Sequence, residues 1–246
     1  VPGCRHDTRD VAPSTARHCD RLHHQAASHR PACRIGSRAM SPLATRLRHM
    51  ALGWSSVGLV YGTCGVLQGV GTVVPETALD RAIPFSTSGI WLYLSFFALI
   101  PLAYLLADMH RLRWLERAMQ ISALVSGAVF LLWPTTLHYP PLADGSLPAS
   151  AQRMLMAMDS SQNCLPSLHG ALTVLSVWAL ADARKPIRTL LAAAWGLGVL
   201  YATIQTRRHV ALDLSAGVAV GVLCGMAVRH WLAQRALTLS IEPVST

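Results

Sequence analysis

Six apolar runs, at about 51–73, 86–108, 118–134, 168–183, 187–205 and 210–228, constrain this chain more than any other feature. Each lies near the ~20 residues that a helix needs to cross a hydrocarbon core of about 30 Å, although the fourth is short. A lipid interior offers backbone groups no water, so segments of this kind cross as helices. The expected fold is therefore all-α: a polytopic membrane protein with a bundle of six transmembrane helices. Composition agrees, with 52% hydrophobic and 13% charged residues, where a soluble domain carries roughly 25% charged.

The bundle is expected over 50–232, preceded by a disordered, Arg- and His-rich extension at 1–49 and followed by a cytoplasmic tail at 233–246. The extension holds nine arginines and lacks the apolar stretch of a secretory signal. Cys19, His23, His24 and Cys33 within it match no common zinc spacing, and a solvated basic segment is the better reading. Met40 and Met50 are candidate starts. The six cysteines form no C-x-x-C pair, so neither a disulfide framework nor a metal module is expected.

The net charge of +9 fits a nucleic acid or an anionic membrane. Its distribution favours the membrane, because the cations gather beside apolar runs. Short cytoplasmic connections accumulate Arg and Lys, and four clusters fall on one side: those before the first run, Arg111/Arg113/Arg117, Arg184/Lys185/Arg188 and Arg229/Arg235. Both termini are then cytoplasmic, and 74–85, 135–167 and 206–209 face the other side of a plasma membrane, of bacterial inner-membrane type. Glycines recur on the first run (Gly58, Gly62, Gly65, Gly69) and the last (Gly217, Gly221, Gly225), where close helix packing accounts for them.

Arg207 and Arg208 break the charge rule, and they stand beside the segments that carry chemistry. Pro166-Ser167-Leu168-His169 precedes the fourth run, and Arg207-Arg208-His209 precedes the sixth, with Asp213 four residues beyond His209. Proline suits a first helical turn, and a helix N-terminus with a nearby hydroxyl is an anion cradle. A carboxylate within an apolar run costs ~2.5–3.5 kcal/mol at a helix centre, so it calls for a partner. One helical turn away, His209 supplies it, and Asp213 orients the ring for nucleophilic attack. The set matches phosphomonoester cleavage, which needs an in-line nucleophile, donors around the phosphoryl oxygens and an acid for the leaving group. His209 is the expected nucleophile, Asp213 its orienter and His169 the acid and then base; Ser167, Arg207 and Arg208 are the expected phosphate binders. His138 reads as part of an interfacial loop, and Arg153 with Asp159 as a solvated pair.

These two segments resemble the second and third motifs of the type 2 phosphatidic acid phosphatase superfamily. The resemblance covers roughly 50–232 and includes the 40-residue separation of His169 and His209. Asp80 to Phe85 and Asn163 are similar to the branch containing inositol phosphorylceramide synthases. Membership implies a six-helix membrane bundle, a phosphohistidine intermediate and no metal or other cofactor. It also implies a lipid phosphate as substrate and membrane lipids, not nucleic acid, as partners. The family's first motif, Lys-x6-Arg-Pro, has no counterpart in Trp133 to Pro140, and its third-motif arginine is replaced near Ala202 and Thr203. Hydrolysis of a lipid phosphate monoester or diphosphate is the leading expectation, with head-group transfer behind it. Two readings of other kinds compete: a two-histidine, one-carboxylate metal site, and a proton- or anion-coupled transporter.

Overall fold

A computed structural model of the chain describes residues 41–67, 69–142 and 145–241, with side chains as far as 238. The chain divides into two units, 1–39 and 40–246. The first unit, with the expected disorder and the Cys19, His23, His24, Cys33 cluster, lies outside the described residues. The second is an all-α polytopic membrane protein.

Its helices are α1 (Pro42–Leu67), α2 (Ala78–Ala82), α3 (Ile90–Leu94), α4 (Phe96–Leu106), α5 (Met109–Leu132), α6 (Leu147–Met158), α7 (Leu168–Leu180), α8 (Pro186–Gln205) and α9 (Ala211–Ile241). A 3₁₀ turn, Thr87–Gly89, leads into α3, and α3 and α4 together make one crossing. Five stretches are long and apolar enough to span a membrane: Pro42–Leu67, Thr87–Leu106, Met109–Leu132, Pro186–Gln205 and Ala211–Thr238. The sixth, α7, has only 13 residues, or about 20 Å at 1.5 Å per residue. It tolerates that length because it is the inner helix, packed against α4, α5, α8 and α9. Lipid therefore does not set its length; its neighbours do.

Helix boundaries depart from the hydropathy reading where caps and charges intervene. The first helix begins at Pro42, so 42–49 is helical and not part of a disordered extension. Ser41 Oγ accepts from Ala44 N at 3.2 Å, and proline follows at the first helical position, a start signal that hydropathy alone passes over. The last helix runs to Ile241, past the expected end near 232. Residues 72–73, assigned to the first span, instead form β1 (Thr72–Val73), which pairs in parallel with β2 (Thr135–Thr136). The amphipathic helix α6 arises within 135–167, which hydropathy left as a connection. Ser146 caps it and proline stands in its first turn.

Arginines tie one end of the bundle together. Arg46 Nη1 donates to Tyr104 O at 2.8 Å and Ala107 O at 2.7 Å. Arg111 donates to Trp178 O at 3.3 Å and to Ala181 O, and Arg188 to Leu106 O at 3.0 Å. The last carbonyls of a helix have no intrahelical donor and carry partial negative charge. The same cations that signal topology thus close the C-termini of α4 and α7.

Close approach of backbones sets the other end. A Cβ on Gly217 would lie 2.0 Å from Ser167 O, and one on Gly221 2.6 Å from Ala171 O; from the facing helix, one on Gly170 would lie 2.6 Å from Leu214 O. The expectation that glycines of the last run serve packing holds on this face. It fails at Gly58 and Gly62 of α1, which meet nothing within 4 Å, while Gly65 makes ordinary contact with Ser160 and Asn163 and the tight contacts fall to Gly53 against Tyr104 and to Gly127 of α5 against Val60. Gly217→Val is expected to lower stability by about 1–3 kcal/mol through overpacking, whereas Gly58→Ala leaves it nearly unchanged. Thermal unfolding of the two variants in detergent micelles checks this.

Candidate active site

Two helix N-termini build the site: a serine hydroxyl caps α7, and two carboxylates, from Asp80 and Asp213, meet the start of α9. Ser167 caps α7, its Oγ accepting from Gly170 N at 3.3 Å, while its own N–H donates to Asp213 O at 2.9 Å. Asp80 caps α9 from a distant segment, Oδ1 accepting from Ala211 N at 2.7 Å and Oδ2 from Thr77 N at 2.7 Å. His209 lies just outside α9. Asp213 therefore reaches back over the first turn and does not sit above His209 on a helix face as the i, i+4 spacing predicts. Its Oδ1 accepts from Val210 N at 3.0 Å and its Oδ2 lies 2.9 Å from His209 Nδ1.

From there a chain of side chains continues. His209 Nε2 lies 3.1 Å from His169 Nδ1, and His169 Nε2 lies 2.8 Å from the Tyr93 hydroxyl. One set of protons satisfies every link. Tyr93 donates to His169 Nε2, His169 Nδ1–H donates to His209 Nε2, and His209 Nδ1–H donates to the Asp213 carboxylate. Asp213 is fully buried and His209 is 5% exposed. The His169 ring packs against Phe96 and Tyr93, with centroids 4.6 and 5.0 Å away. His169, His209, Asp213 and Ser167 are thus brought together.

The two arginines part company. Arg207 has a positive φ of 55°, uncommon for a residue with a side chain, and its guanidinium turns away to Asp80 O at 2.8 Å, Ile83 O at 2.9 Å and Ile204 O at 3.2 Å. Its Nε lies 3.8 Å from Glu76. The expected phosphate binder is occupied in fastening the 77–83 turn to the segment before α9. Arg208 is buried beside the site, its Nη2 2.5 Å from Asp159 Oδ2 and its guanidinium 5.0 Å from the centre of the Tyr139 ring. Its Nε is buried with no partner among the described residues. Asp159 also accepts from the Tyr61 hydroxyl, so its partners are Arg208 and Tyr61 in place of the expected Arg153, which bonds Leu142 O and Ser150 Oγ. His138 is exposed.

Burial by itself raises the Asp159 carboxyl, but Arg208, His169 and the Tyr61 hydrogen bond outweigh it and hold it below the usual carboxylate range. Burial also works against the Arg208 charge, and Asp159 more than restores it. Burial pushes the Cys164 thiol up to about 12, which removes it as a nucleophile at neutral pH.

A cavity of about 650 Å³ opens beside His169 and Asp159. Trp54, Tyr61, Phe97, Met154 and Met158 are among the residues that line it. Size and apolar lining are those of a small-molecule or lipid-chain site. His209 bonds Asp213 through one nitrogen and His169 through the other, so the three groups form a line and do not converge. Among the described residues no group of three or more His, Cys, Asp or Glu is arranged to hold a metal ion.

The sequence carries no sign of Tyr93 or Tyr61, marks Asp80 only as part of a family-like segment without a role, and pairs Asp159 with the wrong arginine. A signal existed for Asp80 alone: Thr77-x-x-Asp80 has the form of a capping box, and the pattern is realised in the short helix α2. Tyr93 is one aromatic within an apolar run and carries no mark. No protein-family model, curated protein or solved structure matches the chain.

The Asp159 carboxyl is lowered in the folded state, so its contribution to stability is complete above the ordinary value of about 3.9 and is lost as pH falls through the lowered value. Asp159→Asn is expected to reduce the unfolding temperature at pH 7 and to flatten its decline between about pH 5 and pH 2. Unfolding temperatures of both proteins across that range provide the check.

Proposed function

We propose that this protein is a membrane phosphatase that hydrolyses a lipid phosphate monoester or diphosphate through a phosphohistidine intermediate. The observation that carries the reading is the continuous chain Asp213–His209–His169–Tyr93 at the mouth of two helices. The motif resemblance of Pro166-Ser167-Leu168-His169 and His209-x-x-x-Asp213 to the type 2 phosphatidic acid phosphatases supports it. So does the apolar cavity beside His169, which suits a lipid tail.

In this mechanism the His169–His209 hydrogen bond of 3.1 Å opens and the phosphoryl group enters between the two imidazoles. With Nδ1–H held by Asp213, His209 presents the Nε2 lone pair to phosphorus. His169, neutral in the resting chain, takes up one proton together with the anionic substrate and then stands as the imidazolium, its Nε2–H held by the Tyr93 oxygen and its Nδ1–H directed at the leaving oxygen. The P–O bond breaks as the P–N bond forms, and the leaving oxygen takes the Nδ1 proton. Neutral His169 then accepts a proton from water, whose oxygen displaces His209 from phosphorus. Arg208 is the cation that compensates for the missing first motif. Its free Nε–H and its charge, balanced by Asp159 at rest, are available to a phosphoryl oxygen. Arg207 contributes by shaping the turn that presents Arg208 and His209.

Placement bears on the transporter reading. The ionisable chain lies at one end of the bundle, whereas transport sites gather near the midplane. By the cation rule that end is extracytoplasmic, with the arginine-rich end in the cytoplasm.

Phosphate release from a panel of lipid phosphates by purified protein tests the proposal. His209→Ala is expected to abolish turnover, and His169→Ala to reduce it by about 10²–10⁴-fold, the usual worth of a positioned acid–base group. Unchanged rates in both variants overturn the assignment. Label from the substrate is expected to be trapped on His209 by rapid quenching, and adding an alcohol acceptor separates hydrolysis from head-group transfer. In a second measurement, Tyr93→Phe is expected to lower turnover up to about tenfold, the worth of one net hydrogen bond of ~0.5–1.5 kcal/mol. KM should change little, because Tyr93 bonds the acid and not the substrate.

A further inference from the structure

A second cavity, of about 640 Å³, lies at the opposite, arginine-rich end of the bundle. It is framed by the start of α5, the end of α7 with its connection to α8, and the later part of α9. Its walls divide by chemistry. Trp114, Trp178 and Leu232 make an apolar side, while His110, Arg111 and Arg229 bring cationic or hydrogen-bonding groups to the same space.

The apolar side is rigidly built. Trp114 Nε1 donates to Gly225 O at 2.8 Å, and its ring meets Trp178 edge to face with centroids 4.9 Å apart. A Cβ on Gly225 would lie 2.8 Å from Trp178 Cζ3, so the absent side chain there preserves the tryptophan pair. Tryptophan at this level is the usual residue of the membrane–water boundary.

On the polar side, most charges are already balanced. Asp182, the acidic residue of the lining, lies 3.6 Å from Arg188 and 3.8 Å from Lys185 and accepts from Arg184 N at 2.9 Å. Arg111 is held by the carbonyls that close α7 and lies 3.9 Å from Asp108. The side chains of Arg229 and His110 differ. Neither has an ion pair or hydrogen bond within the described residues, and both border the cavity. A preformed space with an aromatic wall and two unengaged donors, between transmembrane helices at the basic end, fits an amphiphile with an anionic head.

We propose that this cavity binds the phosphate head of an anionic phospholipid from the leaflet at the arginine-rich end. Arg229 and His110 hold the phosphodiester, Arg111 adds its fixed charge, and the chains lie along Trp114, Trp178 and Leu232. The inference is independent of the histidine chemistry, which sits at the other end.

Tryptophan quenching by phosphatidylglycerol carrying brominated acyl chains tests it, with the purified full chain in detergent micelles. Wild type is expected to be quenched with saturation, and brominated phosphatidylcholine to quench much more weakly. Arg229→Ala, and the double variant with His110→Ala, should need about fivefold more lipid or higher for half-quenching. Arg113→Ala removes an exposed charge of the same helix outside the cavity and should leave the curve unchanged. Equal quenching by both lipids, or an equal loss in Arg113→Ala, overturns the site. If millimolar inorganic phosphate abolishes the difference between the two lipids, the cavity takes a soluble anion and the lipid assignment falls.

Discussion

The candidate site depends on how closely α7 and α9 approach. Lipid supplies no hydrophobic force to press helices together, so packing and interhelical hydrogen bonds must hold them. Gly170, Gly217 and Gly221 remove the side chains that would separate the two backbones. Ser167 N–H then reaches Asp213 O across the interface at 2.9 Å. That single bond joins the N-terminus of one helix to the first turn of the other, and His169 and His209, one from each segment, come within hydrogen-bonding distance. Four neighbouring helices pack on α7 and buttress this arrangement, leaving open the side where the cavity meets His169.

The charged residues divide their work between the two ends. At one end, arginines close the exposed carbonyls of helices, which lowers the cost of ending a helix near lipid. At the other, buried charges are matched individually: Asp213 with His209, Asp159 with Arg208 and Tyr61, and Asp80 with backbone donors. A buried charge without a partner is costly, so each pairing also fixes a geometry. Arg207 and Arg208 show how far apart neighbouring residues of one type can be sent. The positive φ at Arg207 turns the chain so that one guanidinium serves the 77–83 turn and the next lies beside Asp159.

Much of this was legible in the sequence because partition between lipid and water is a local property. Apolar length identified six helices, and cation placement identified one end as distinct. Short-range spacing joined His209 to Asp213, although the contact is a reach-back over the first turn and not a stacked pair on a helix face. Hydropathy misjudged the start of α1 because a Ser41-Pro42 cap and a fixed Arg46 allow helix in a segment that is not itself apolar. It missed α6 because an amphipathic helix lowers the mean hydropathy of its own window.

Hydropathy and motif spacing alone make this chain a helical membrane bundle and set His169 and His209 at the openings of two helices at one end. What completes the site emerges from the packing of the helices. Tyr93 meets His169 across 76 residues and Arg208 meets Asp159 across 49, and neither pairing leaves a periodic or compositional trace. Such partners are chosen by which faces of the helices pack together. The same packing sends Arg207 to a turn, where the Asp80 and Ile83 carbonyls of a distant segment accept from its guanidinium at 2.8 and 2.9 Å.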